Sequence, residues 1–204
     1  VNDSPNTDLV ANGSFVNNFV FAPIVGMNRG SLLTDRTQRR RQGLPDELRP
    51  AKLEDSNGQR ESYIHADWVN SRITLSTSAD QVPIAPGNKV SDVVEDGRRI
   101  ATFVSPAPIL NFFSVQSARY AEAHETYDGV RLSVYYDPKH AWNVPQMQQA
   151  MKSSLDYYRK NFGPYQFDYA RIIEFPGYSS FAQAFAGTVP YSESIGFAAD
   201  VRDP

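Results

Sequence analysis

NFGPYQFDYARIIEFPGYSSFAQAFAGTVPYSESIGF, residues 161–197, is the stretch that decides how this chain is read. Asn161 closes a helix, and Gly163-Pro164 stops it, because glycine accepts the left-handed cap and proline cannot extend the ladder. Residues 170–175, ARIIEF, read as a short buried strand. A long loop follows from Pro176, with Tyr178, Phe181 and Phe185 interleaved with Gly177 and Gly187. Long loops inside compact domains are usually functional. Residues 190–197, PYSESIGF, then read as an edge strand carrying one carboxylate, Glu193. An edge strand offers free backbone donors and acceptors to an extended peptide. A carboxylate on it suits a cationic group such as a peptide's free α-amine. Taken alone, Glu193 is an ordinary solvated acid, as most glutamates are.

Just upstream lies an amphipathic helix. Asn143 is a good N-cap residue, and Pro145 sits in the first turn, where a missing donor costs nothing. Val144, Met147, Met151, Leu155 and Tyr158 recur at three and four residues and give one apolar face, read as core packing. Residues 130–136 read as a strand closed by Asp137-Pro138. A helix and strand after an all-β region mark a change of domain. The expected units are residues 1–126 and 127–204.

Residues 63–125 are β-rich. Ile73 and Leu75 alternate with Arg72, Thr74 and Ser76, the period of a half-buried strand. Residues 85–88, APGN, read as a turn. Val90, Val93 and Val94 lead into Asp96-Gly97, a dipeptide suited to a tight hairpin, with residues 100–104 as the return strand. Residues 109–119 read as one further strand. Regular short strands argue for an antiparallel sandwich. The expected fold is therefore mainly β, with an antiparallel β-sandwich-like N-terminal domain and an α+β C-terminal part.

Residues 1–62 are irregular and polar, apart from an apolar knot at Phe15, Val16, Phe19, Val20 and Phe21 that suits a strand docked on a sheet. Asn12-Gly13-Ser14 is formally a glycosylation acceptor, and a plain turn accounts for it. Residues 31–42 can form a short helix, with Asp35 near its start and Arg39, Arg40 and Arg41 near its end. The arginines read as solvent-facing cations at a helix C-terminus rather than a phosphate patch. Residues 44–58 read as a linker.

Bulk properties exclude several classes. With 20 basic and 23 acidic residues the net charge is -3, which gives no basic face for nucleic acid. The polar start does not read as a signal peptide, and no apolar run nears the length of a bilayer span. Cysteine is absent, so there is no thiolate metal site. His65, His124 and His140 are far apart in sequence and read as solvated or core-edge side chains. There is no P-loop, no G-x-S-x-G and no H-E-x-x-H.

Three blocks resemble the membrane alanyl aminopeptidase family of gluzincin metallopeptidases, which includes leukotriene hydrolase. Residues 155–177, LDYYRKNFGPYQFDYARIIEFPG, resemble the helix, FG-x-Y corner and first strand of that family's thermolysin-like catalytic domain. PYSESIGF resembles the segment holding its G-A-M-E-N signature. Residues 71–87, SRITLSTSADQVPIAPG, resemble a strand of its N-terminal β-domain. The spacing is similar to a bacterial subgroup in which the peptidase-like region is an extracytoplasmic part of an ABC-transporter-type permease. The resemblance implies that Glu193 binds the substrate's α-amine. Ser192 and Ser194 stand where the family has Met and Asn, Pro190 and Tyr191 where it has Gly and Ala, and Gly196 matches a glycine just after the signature. It further implies a peptide substrate, a zinc ion whose ligands lie outside this chain, a membrane-embedded parent protein and a transporter ATPase partner. The chain is then expected to be an N-terminal piece of a zinc peptidase, silent by itself. The competing expectation is a non-catalytic extracytoplasmic module that binds a peptide or partner.

Overall fold

The computed structural model describes residues 9–23, 32–49, 52, 54–56 and 67–199. Ser31, Gly58, Tyr63 and His65, which enter the expectations above, lie outside the described residues. The described fold is mainly β.

Strand β1 (Ser14–Asn17) runs into a single helical turn, α1 (Asn18–Phe21). The apolar knot divides: Phe15 and Val16 are buried, whereas Val20 and Phe21 are exposed. Helix α2 (Arg36–Arg41) is shorter than expected and starts at Asp35, whose carboxylate accepts from the Gln38 N–H at 2.7 Å. The arginine triplet does not all face solvent. Arg39 is buried and donates to the carbonyls of Pro45 (2.6 Å) and Leu33 (2.7 Å), so it pins the following loop.

β2 (Trp68–Val69) precedes β3 (Arg72–Ser78), β4 (Val82–Ile84), β5 (Asn88–Glu95) and β6 (Arg98–Val104). Strands β3, β6 and β5 form one antiparallel sheet in that order. Asp96 (φ 48°) and Gly97 (φ 72°) make its hairpin turn, both left-handed as a primed turn requires. The expected strand over 109–119 is two strands, β7 (Ile109–Leu110) and β8 (Ser114–Ala118), in different sheets. The break has a cause. The Asn18 side chain donates to the Asn111 carbonyl and accepts from the Phe113 N–H, both at 3.1 Å, while Phe112 stacks on Phe19. β7 pairs with β2, and β8 lies between β1 and β4. Val115 of β8 packs with Ile73, Leu75, Ala85, Ala101 and Phe103, which joins these antiparallel sheets through one core.

The remaining strands are β9 (Ala121–Tyr127), β10 (Val130–Tyr136), β11 (Tyr169–Phe175) and β12 (Thr188–Ser192), in sheet order β12-β11-β10-β9. β10, β11 and β12 are parallel, and β9 is an antiparallel edge. β9, AEAHETY, was not expected as a strand because it has so little apolar content. It pairs with β10 through the Asp128-Gly129 turn, so the division expected at residue 126 falls inside a continuous hairpin.

Helix α3 (Val144–Phe162) connects β10 to β11 and covers one face of their sheet. Leu155 packs on Val130 and Leu132, and Val144 on Val134. Tyr158 is 59% exposed, so the packed stripe ends at Leu155. No helix among the described residues is long and apolar enough to cross a membrane.

Candidate cation site at Glu193

β12 does not offer the open edge expected over residues 190–197. Residues 181–185 fold back along it. The Ser192 N–H donates to the Phe181 carbonyl (3.0 Å), the Gln183 N–H to the Pro190 carbonyl (3.1 Å), and Phe185 and Thr188 exchange backbone bonds. Backbone groups that would hold an extended peptide are already engaged there.

The strand also ends earlier than expected. After Ser192 the chain enters a π-helical turn, Glu193–Phe197. Such turns are wider than an α-helix and recur at functional sites. Several contacts impose it. The Ser192 hydroxyl accepts from the Ser194 N–H at 3.3 Å. Gly196 lies against the Tyr191 ring, where a Cβ would come within 2.4 Å of a ring carbon. Phe197 is fully buried beside Val134 and Val144. The Asn143 side chain donates to the carbonyls of Gly196 (2.6 Å) and Ala199 (2.5 Å). Asn143 thus precedes α3 as expected but makes no side-chain cap bond. It is a tether for this turn.

Glu193 begins the turn and is half-buried. Its Oε1 accepts from the Gly177 N–H at 2.7 Å. No lysine or arginine pairs with it among the described residues. Beside it lie His140 and Glu174, and one ligating atom from each of the three falls within 4.8 Å of the others. Glu174 lies near the end of β11 with 4% of its side chain exposed. One of its oxygens meets His140 Nδ1, and the other accepts from the Asp137 N–H at 2.5 Å. Burial pushes the Glu174 carboxyl above its ordinary value, partly offset by the Asp137 N–H and by His140. The Tyr120 hydroxyl donates to the Glu174 carbonyl at 2.9 Å, and burial holds that phenol protonated. A cavity of about 30 Å³ separates Tyr120, Asp137, Glu174 and Glu193. Arg119 also borders it, but its guanidinium is paired with Asp80.

Of the residues expected to bind substrate, Glu193 alone presents a charge to this cavity. Ser192 is fully buried and donates to the Ser179 carbonyl at 2.6 Å. Ser194 is exposed and bonds Ser180. Tyr191 leans on Phe197 under α3, and Gly196 makes room for it. These four build the turn that aims Glu193. Glu174 and His140 were missed. The available signal was a carboxylate inside the otherwise buried run ARIIEF, which needs a partner to stay there.

Comparison with protein-family models found no match, and comparison with curated proteins found none either.

One imidazole and two carboxylates are a donor set that zinc or manganese accepts. Both oxygens of Glu174, one oxygen of Glu193 and Nδ1 of His140 already take part in hydrogen bonds. The set fits a hydrogen-bonding cation better than a directly coordinated one.

Proposed function

We propose that Glu193, backed by Glu174 and His140, binds the free α-ammonium of a peptide. The observation that carries this is a half-buried carboxylate with no lysine or arginine partner among the described residues, facing a cavity of about 30 Å³. That volume suits one water-sized group, and an ammonium is of that size. Its three N–H donors match acceptors on Glu193 and Glu174, and partial burial strengthens each charge-assisted bond. Together with the aminopeptidase-like blocks, this supports a zinc-dependent aminopeptidase as the parent activity, with the β9–β12 sheet and α3 in the thermolysin-like region. Zinc would supply polarisation of the scissile carbonyl and activation of water. The residues described would fix the substrate's N-terminus and keep water from its charge. The same resemblance supports an extracytoplasmic position in a membrane permease working with a transporter ATPase.

The first test compares alanyl-alaninamide with its N-acetyl form, titrated into the 204-residue chain. The free amine is expected to bind at least about tenfold more tightly, the scale of one buried charge-assisted contact, and Glu193→Gln should abolish the preference. Equal binding of the two peptides defeats the assignment.

A second reading, a peptide-binding module without catalysis, is favoured by one feature: the signature keeps its carboxylate but not its neighbours at 190–192 and 194. A longer protein containing this chain separates the two. Turnover of an aminoacyl-coumarin that is lost in Glu193→Ala supports the peptidase, whereas amine binding without turnover supports the module.

A further inference from the structure

A second cleft, about 440 Å³ in volume, opens between the β3-β6-β5 sheet and the face of β9-β10-β11 turned away from α3. Its ionised groups are almost all matched. Lys89 and Arg99 share Asp92 (2.5 and 2.7 Å), with the field of Glu122 also acting on Arg99. Arg131 meets Asp168 at 3.3 Å, and Lys152 meets Glu125 at 2.9 Å. Arg171 is the exception. It borders the cleft and is only 6% exposed. No carboxylate among the described residues lies within ion-pair distance of it.

The Arg171 guanidinium is held in place without being neutralised. Nη1 donates to the Ala85 carbonyl at 2.9 Å and Nη2 to the Gly87 carbonyl at 2.5 Å. The group lies 4.3 Å over the Tyr169 ring and 6.0 Å from that of Phe103. Carbonyls and rings satisfy donors and supply partial negative charge, but no counter-ion. A guanidinium has five N–H donors, so three remain after these two bonds. Burying a cation without an opposite charge is costly, and an anion that enters recovers part of that cost. Burial accordingly pulls the Arg171 pKa down.

We propose that this cleft binds a small monocarboxylate, with Arg171 as its counter-ion. The unmatched charge is single, so a monoanion closes the balance. A phosphate dianion would overshoot it beside Glu122 and Glu125. Val82 and Tyr135, half-buried at the cleft, give the carboxylate's organic body apolar surface to rest on.

The test is NMR titration of the 204-residue chain with benzoate, its neutral isostere benzamide, and inorganic phosphate. Benzoate should give saturable shifts centred on the Arg171 Nε–H and the Ser133 and Tyr135 amides. Benzamide and phosphate should each bind at least about tenfold more weakly. Arg171→Gln should remove saturation, but it also cuts the tie to residues 85–87 and can unfold the chain. Thr126→Glu avoids that problem, since Thr126 is exposed on β9 at the cleft. Its new carboxylate should weaken benzoate about tenfold while the unfolding temperature holds. Non-saturating shifts, an equal response to benzamide, tighter binding of phosphate, or unchanged affinity in a folded Thr126→Glu protein would each overturn the proposal.

Discussion

Replacing Gly87 by alanine should damage this protein far more than the same change at Gly97. Both glycines flank strand β5 of the β3-β6-β5 sheet and both have positive φ, 97° and 72°. Forcing an L-residue into that region costs about 1–2 kcal/mol. At Gly97 nothing lies within 4 Å of the new Cβ, so the conformational cost is the whole effect. At Gly87 the Cβ would sit 2.3 Å from the Val104 carbonyl carbon and 2.5 Å from the Ser105 nitrogen, both backbone atoms, where ordinary contact begins at 3.4 Å. The backbone has to part by roughly the difference, an overpacking cost of about 1–3 kcal/mol. The same movement pulls on two bonds between the sheets. The Gly87 N–H donates to the Tyr169 hydroxyl at 2.8 Å, and its carbonyl accepts from Arg171. Losing them adds about 2–4 kcal/mol, since one involves a charged donor. Gly87→Ala should therefore cost about 4–9 kcal/mol. For a chain of this size each kcal/mol lowers the melting temperature by about 2–4 °C. Thermal unfolding followed by far-UV circular dichroism should show a fall of about 2–8 °C for Gly97→Ala and at least about 8 °C, up to failure to fold, for Gly87→Ala. Equal falls for the two variants would refute the packing of this turn against β6 and Arg171.

Asn143→Ala should destabilise by about 1–3 kcal/mol, since it removes two part-buried hydrogen bonds, to the carbonyls of Gly196 and Ala199. Hydrogen exchange should rise at Ala198, whose N–H closes the π turn on Glu193; unchanged exchange would show that Asn143 is no tether. Glu174 has a folded pKa raised above its ordinary value, so its stabilising contribution is complete below the unfolded pKa and is lost as pH rises through the folded one. Relative to Glu174→Gln, the natural protein should lose stability as pH rises above the ordinary carboxylate value of 4.5, read from melting temperatures across a pH series, with Asp137, His140 and Glu193 as the other groups facing it. Asp92 is the opposite case. Its bonds to Arg99 and Lys89 hold it at about 2, so its contribution is present above the unfolded value and disappears as pH falls through about 2. Asp92→Asn should cost about 1 kcal/mol at pH 7 and nothing in acid, which acid titration of the two proteins would check.

Local pattern determined much of this protein. The alternation at Ile73 and Leu75, the glycine turns at 97 and 129, and the spacing from Val144 to Leu155 are properties of a few adjacent residues, and they fix strands, hairpins and a helix wherever the rest of the chain goes. Segments governed by distant partners could not be read that way. Asn18 splits the strand expected over 109–119 from more than ninety residues away. β9 is too polar to announce itself and is a strand because β10 lies beside it. Residues 181–185 close an edge that looks open when PYSESIGF is taken alone. Sequence also singled out Glu193, through the resemblance of PYSESIGF to a peptidase signature segment rather than through the carboxylate alone. Tertiary structure decided what surrounds it. Glu174 and His140 meet it only because β11 and the segment after β10 are brought to the same end of a parallel sheet. Burial, which raises the Glu174 pKa and strands the charge of Arg171, is a property of the packed molecule and of no stretch of its sequence.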